Sequence, residues 1–151
     1  MLRELSVVDC SAAGLIVAAH PLWNERYRYP AERAAADLAE ALARGDLVLG
    51  AYDPALLGFA WVIPRGAFGR FPYLRLLAVA PGALGGGLGA RLLDAAEDRF
   101  RATARQMLLM VSDFNDAAQR FYARRGYRQV GSLSDFVEDG IAEQLWIKRL
   151  I

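Results

Sequence analysis

The apolar positions of the chain change period several times along its length, and each change marks an element. Residues 2–7 alternate as a strand. Asp9 then stands where a helix cap is needed, and Ala12, Leu15, Ile16 and Ala19 recur at helical spacing until Pro21. The stretch PLWNERYRYP has no period and predicts an irregular segment. Pro30 suits the first turn of a second helix, whose stripe of Ala34, Leu38, Ala41 and Leu42 ends before Gly45. Residues 47–52 and 57–63, rich in Val, Trp, Phe and Leu, flank Asp53-Pro54 and read as a hairpin. After RGAFGRFP the chain is extended again over 73–79, breaks at Pro81 and enters the glycine run GALGGGLG. Leu88, Leu92, Ala96 and Phe100 then recur every fourth residue, which gives a long helix one buried face. Residues 106–111 predict a strand, 115–125 a short helix with Asn115 as cap and Gly126 just past its end, and 127–136 and 142–148 two closing strands. No repeat, low-complexity tract or linker interrupts this series, so residues 1–151 are expected to form one α/β domain of mixed strand direction.

Composition narrows the classes. With 151 residues, 55% of them hydrophobic, the chain is long enough to bury about 70% of its unfolded surface without staples. Cys10 is the only cysteine and His20 the only histidine, which excludes an internal disulfide and a zinc site built from Cys and His. No metal is expected. A net charge of +1 provides no field for nucleic acid, and no apolar run is long enough for a bilayer. The start, MLRELSVVDC, lacks the features of a secretory signal. The expectation is a cytoplasmic protein without nucleic-acid or membrane partners.

The glycine run carries the strongest chemical signal. A strand that ends in small residues and opens a helix turns several free N–H groups toward one point, where the helix dipole also favours an anion. Gly85, Gly87 and Gly89 let phosphate oxygens approach the backbone. A triphosphate loop needs Gly-Lys-Ser/Thr, whereas Gly89 is followed by Ala90 and Arg91. A dinucleotide fingerprint needs glycine where Leu92 stands. A pyrophosphate loop of another kind and a ligand-free connector remain. In the second segment Asn115, Ala118 and Tyr122 share one helix face. Tyr122 is there either as packing or as a phenol able to protonate a leaving thiolate.

Together, LLAVAPGALGGGLGARLL and NDAAQRFYARRGY resemble the GNAT superfamily of acyl-coenzyme A-dependent N-acetyltransferases: its central strand with Val-x-Pro and Gly-x-Gly loop, then its Asn-x-x-Ala-x-x-x-Tyr helix. The resemblance implies a mixed, mostly antiparallel sheet of about seven strands with about four helices, splayed between its two central strands. It implies acetyl-CoA as cosubstrate. By the same resemblance, backbone groups of Leu77, Ala78 and Val79 would pair with the pantetheine, the loop Gly85, Gly86, Gly87, Leu88, Gly89 and Ala90 would cradle the pyrophosphate, and Asn115 and Ala118 would meet the pantetheine arm. The resemblance also implies Tyr122 as general acid, the Val79 N–H as the oxyanion donor and Arg124 near the nucleotide. Leu84 and Gly86 depart from the family's polar and basic residues at those positions, and Arg91 is placed to supply the missing charge.

The implied reaction is direct attack of an amine on the thioester. The family's glutamate is absent from the central strand, which offers Tyr73 and Arg75, so Glu25, Asp113 and Tyr73 are the candidate bases. Cys10 reads as a small core residue. Trp23, Glu25, Tyr27 and Tyr29 form an aromatic and acidic loop suited to a cationic amine, Trp23 fitting packing on the sheet equally well. Met110 and Ser112 stand where acetylases of ribosomal-protein N-termini carry Glu and Arg. The acceptor is therefore expected to be a small amine or a lysine side chain, with an α-amino terminus and an acyl-CoA sensor without catalysis as alternatives. Relatives also dimerise, so a homodimer is within the expectation.

Overall fold

The computed structural model describes residues 1–151, the side chain of Asn24 excepted. Seven strands, β1 (Leu2–Glu4), β2 (Leu47–Tyr52), β3 (Leu56–Ala67), β4 (Phe71–Val79), β5 (Gln106–Ser112), β6 (Arg128–Leu133) and β7 (Glu143–Arg149), lie in the order β1-β2-β3-β4-β5-β7-β6. Four α-helices, α1 (Cys10–Ala18), α2 (Ala31–Ala43), α3 (Leu88–Asp98) and α4 (Asp116–Arg124), accompany them. Neighbouring strands are antiparallel except β4 and β5, so the sheet is mixed and mostly antiparallel, as expected.

The central strands are buried on both faces, which is why β2 reads as a continuous apolar run. Alternate residues enter two cores. Leu47, Leu49, Ala60 and Val62 pack with Leu92, Leu93 and Ala96 of α3, and Val48, Phe59 and Trp61 pack with α1 and α2 through Val17, Ala34 and Leu38. The two helices of the second face approach closely. A Cβ on Gly14 of α1 would stand 2.4 Å from the Ala31 carbonyl of α2, so glycine is required there.

Four local expectations need correction. β1 ends at Glu4 because Ser6 and Asp9 form a capping box: the Asp9 carboxylate accepts the Ser6 N–H at 2.9 Å and opens a 3-10 turn. That turn sets the phase of α1, so Ala13, Ile16 and Val17 face inward and Leu15 is exposed. The aperiodic segment contains a π-helical turn, Leu22–Arg26. β3 continues to Ala67 and meets β4 through a tight hairpin in which Phe68 and Gly69 both have positive φ and the Arg70 N–H donates to the Ala67 carbonyl at 3.1 Å. Phe is an uncommon first residue for such a turn, and RGAFGRFP therefore reads as a break. β6 ends at Leu133 rather than at residue 136. Among the described residues no helix is long and apolar enough to cross a membrane.

A buried ion pair ties α3 to the far side of the sheet. Glu97 is fully buried; its carboxylate accepts from Lys148 Nζ at 2.6 Å, Tyr127 Oη at 2.9 Å and Arg101 at 3.3 Å. Burial first, then the Glu97 charge, pushes the Tyr127 phenol far above its ordinary pKa, so it stays a donor. Lys148→Met should cost about 2 kcal/mol, because a charge left in the core loses its main partner. Urea unfolding read by fluorescence measures this, and the paired change Lys148→Met with Glu97→Gln should recover part of the loss.

Candidate active site

β4 carries an irregularity that decides what faces what. Trp61 of β3 pairs with Leu76 and Val62 with Leu74, so Arg75 is an extra residue, a β-bulge. Before it Leu74 belongs to the α3 side. After it Leu77 and Val79 do, while Leu76 and Ala78 face α1 and α2. The Arg75 guanidinium stands 5.4 Å above the Trp61 ring.

On the other edge, β4 pairs with β5 only at Tyr73–Leu108 and Leu74–Leu109. Both strands run on, to Val79 and Ser112, without pairing, and a gap opens between their C-terminal halves. The Ala80 N–H donates to the Leu57 carbonyl at 2.7 Å, which fixes the phase of the β3–β4 ladder. In that phase Leu77 and Val79 turn their N–H and C=O groups into the gap. Ala78 is turned the other way, and its backbone groups belong to the ladder with Phe59. The Val79 carbonyl is held by His20 Nε2 at 2.6 Å, and because a carbonyl only accepts, Nε2 is the donor. Sequence reasoning weighed His20 only as a metal ligand, since nothing in the spacing places residue 20 beside residue 79.

Beyond Val79 a 3-10 turn, Pro81–Ala83, leads into the glycine loop. Gly85 and Gly87 have φ of +84° and +78°, and a Cβ on either would meet nothing within 4 Å. The protein itself does not need that space. Gly87 is the N-cap of α3, and the Arg91 N–H is the first to bond back, to the Gly87 carbonyl at 3.1 Å. The N–H groups of Leu88, Gly89 and Ala90 are thus the open donors of the helix. Arg91 and Arg124 are exposed and, among the described residues, in no ion pair, whereas Arg125 grips both oxygens of Asp94 at 2.8 and 2.7 Å. Leu84 is exposed.

α4 follows the sequence closely. Asn115 caps it by accepting the Ala118 N–H at 3.1 Å, leaving the amide nitrogen of Asn115 free to donate, and Gly126 ends it at φ +93°. Tyr122 packs edge-to-face on Phe121 and Tyr127, 5.1 and 5.7 Å between ring centroids. Burial pushes its phenol well above the ordinary value, and the nearby Tyr73 phenol adds to this. Tyr73 is itself raised, by burial first.

The acceptor-side residues have different surroundings. Trp23 packs against the second core, 6.0 Å from the Tyr27 ring, and Tyr29 donates to Asp37 at 2.6 Å, pinning the loop to α2. Glu25 is exposed and lines an open groove of about 480 Å³ with Pro21, Leu22, Arg26 and Phe114. Asp113 is a loop fastener: its carboxylate accepts the Ala142 N–H at 3.1 Å. Tyr27 bonds the Ser112 hydroxyl, and Ser112 donates to Glu143 Oε1 at 3.1 Å. Glu143, on β7, escaped sequence reasoning because a lone acid at a strand start has no motif around it.

An open strand edge ending at a glycine cradle and a helix N-terminus fits an extended thiol cofactor with a pyrophosphate. The family model described as Acetyltransferase (GNAT) family matches residues 16–127, and the chain belongs to that family. A blasticidin-S acetyltransferase from Streptomyces morookaense is 38% identical over 78 residues, 52% of this chain and 57% of that relative, so the chain spans little more than half the length of the curated relative it matches. Among solved structures, a Desulfovibrio desulfuricans protein assigned to the GNAT family superposes with a TM-score of 0.87 at 23% identity, covering 100% of this chain and 99% of that one. An aminoglycoside 6'-N-acetyltransferase complexed with coenzyme A gives 0.84 at 17% identity, covering 100% and 97%. At such identities the structures show the shared fold.

The open space at Gly87 yields a prediction. Gly87→Val places a branched side chain into the cradle at a positive φ, and coenzyme A affinity measured by calorimetry should fall at least about tenfold. The unfolding transition should move little, because the new side chain meets no protein atom.

Proposed function

We propose that the chain is an acetyl-CoA-dependent N-acetyltransferase that acetylates a primary amine of a small molecule or a lysine side chain by direct attack in a ternary complex. The observation that carries this is the gap between β4 and β5 opening directly beside the glycine loop. When bound, acetyl-CoA supplies the acyl thioester. Leu77 binds the pantetheine as an added strand through its free N–H and C=O, and Val79 through its N–H, since its carbonyl is taken by His20. The N–H groups from Gly85 to Ala90 hold the pyrophosphate, and the Asn115 amide nitrogen donates to the pantetheine arm beside Ala118. Arg91 and Arg124 are free to meet the phosphates of the nucleotide end.

Val79 directs its N–H at the thioester carbonyl and stabilises the negative charge that develops on its oxygen. His20 fixes the next peptide group by donating to the Val79 carbonyl. Tyr122 gives its proton to the departing thiolate. The burial that raises its pKa keeps it protonated across the range in which amines become neutral, so acid and nucleophile are present together. Similarity to the Streptomyces blasticidin-S acetyltransferase supports a small-molecule amine ahead of a lysine. Met110 and Ser112, where acetylases of ribosomal-protein N-termini carry Glu and Arg, make an α-amino terminus the less favoured acceptor. An acyl-CoA sensor is the second reading, favoured by the exposed apolar Leu84 where the family carries a polar side chain.

Tyr122→Phe should keep coenzyme A affinity and lower kcat about 100-fold, read as thiol release at saturating acetyl-CoA. In the unsubstituted protein kcat should rise with pH as the amine loses its proton and should not fall near pH 10, where an ordinary phenol ionises. Thiol release by Tyr122→Phe at the original rate reduces Tyr122 to packing. Coenzyme binding without acetylation of any amine favours the sensor.

A further inference from the structure

Three carboxylates, Asp46, Glu97 and Glu143, are buried among the described residues. Two carry a cation. Asp46 takes Arg44 at 2.8 Å together with the Trp61 indole N–H at 3.0 Å, and Glu97 takes Lys148 at 2.6 Å. Glu143, only 8% exposed, is within ion-pair distance of no Lys or Arg among the described residues. Its donors are hydroxyls. Ser112 supplies Oε1 at 3.1 Å, and Oε2 has only the Tyr27 hydroxyl at 3.5 Å, the outer limit of a hydrogen bond. One oxygen of a desolvated carboxylate is thus nearly bare, which is costly unless a ligand completes it.

Position adds to this. Glu143 pairs with Ser112 at the end of β5 that borders the gap, and Tyr27 comes over it from the aromatic loop. The Glu143 charge acts on the Tyr73 phenol, which burial raises first, so the carboxylate lies near Tyr73. Glu138 also acts on Tyr27, and Asp113 precedes the same corner. The nearby cation Arg26 is stacked on Phe114 at 4.8 Å.

We propose that Glu143, with Ser112 and Tyr27, is an acceptor-recognition site that selects amines bearing a second positive charge. The reacting nitrogen must lose its proton before it attacks, so it cannot remain the cation that compensates Glu143. A second ammonium or guanidinium group keeps its charge throughout and completes the Oε2 shell while the neutral amine reaches the thioester. This rests on the acetyltransferase reading, and it names the acceptor class: compounds with at least two basic nitrogens.

The test compares α,ω-diaminoalkanes with n-alkylamines of matched length as acceptors for the full chain with acetyl-CoA, and as ligands that raise its unfolding temperature. Diamines should be preferred at least about tenfold in kcat/KM, the effect of a hydrogen-bonded charge pair. Glu143→Gln keeps the shape and the Ser112 bond; it should remove the preference by raising KM for diamines, leaving coenzyme A affinity unchanged. Glu143→Asp should restore part of it. Equal use of both series, or a Glu143→Gln variant that slows both alike, overturns the proposal and makes Glu143 structural. If coenzyme A does not bind, the acetyltransferase reading fails. The recognition site is then judged by melting alone: a larger shift with diamines that Glu143→Gln abolishes supports it, and equal shifts sink it.

Discussion

Only two residue pairs, Tyr73–Leu108 and Leu74–Leu109, join the halves of the sheet, and everything at the site depends on their being the last. A parallel pair this short cannot hold two half-sheets together by its own hydrogen bonds. The α3 core does so instead, since Leu92, Leu93 and Ala96 share one cluster with Leu49 and Val62 on one half and with Met107, Leu109 and Trp146 on the other. Hydrophobic packing across the seam leaves the backbone of the gap free of structural duty. Its unpaired groups need water or a ligand, because backbone donors and acceptors are not left orphaned. An extended molecule with amides at strand-like spacing meets that need, which is the physical sense in which an unfinished sheet is a binding site.

The bulge at Arg75 is the second half of the same arrangement. Without the extra residue, Leu77 and Val79 would fall on the opposite face from the one they occupy, because strand side chains alternate strictly. With it, Val79 packs toward α3 and α4 while its carbonyl is gripped by His20 from the α1 side. One inserted residue thereby brings the glycine loop, the end of α1 and α4 to a single residue.

Much of this was legible in the sequence where a local signal is strong. The Asn115 cap, the Gly126 stop, the glycine-opened α3 and the Asp53-Pro54 hairpin all lie in short stretches whose chemistry admits few conformations. The start of α1 was misread because Asp9 serves Ser6 in a capping box, and the β3–β4 hairpin because Phe68 occupies a turn position usually filled by Asn or Asp. The site divides in the same way. Gly85 to Ala90, Asn115 and Tyr122 stood out as motifs. His20 and Glu143 did not, since each acquires its surroundings from a strand or helix remote in sequence, and the contact of Asp113 with the Ala142 N–H is likewise invisible in the local sequence.

The remaining question is why a site that needs a charged group buries it so deeply. Water at the mouth of the gap would weaken every dipole aimed into it, and Leu77, Val79, Phe121 and Tyr122 beside it belong to one apolar and aromatic cluster. Exclusion of that water favours the neutral phenol of Tyr122, which is what the proposed acid requires. The buried Glu143 carboxylate is instead supported by hydroxyl donors. Ser112 and Tyr27 are small or rigid hydroxyl donors that lose little freedom in doing so, and they add no charge of their own. A lysine or arginine in their place would satisfy Glu143 completely, as Lys148 satisfies Glu97, and would close the position to any incoming cation. Hydroxyl donors instead support the carboxylate while leaving its charge uncompensated, and an uncompensated charge in a dry wall is what gives a binding site its selectivity.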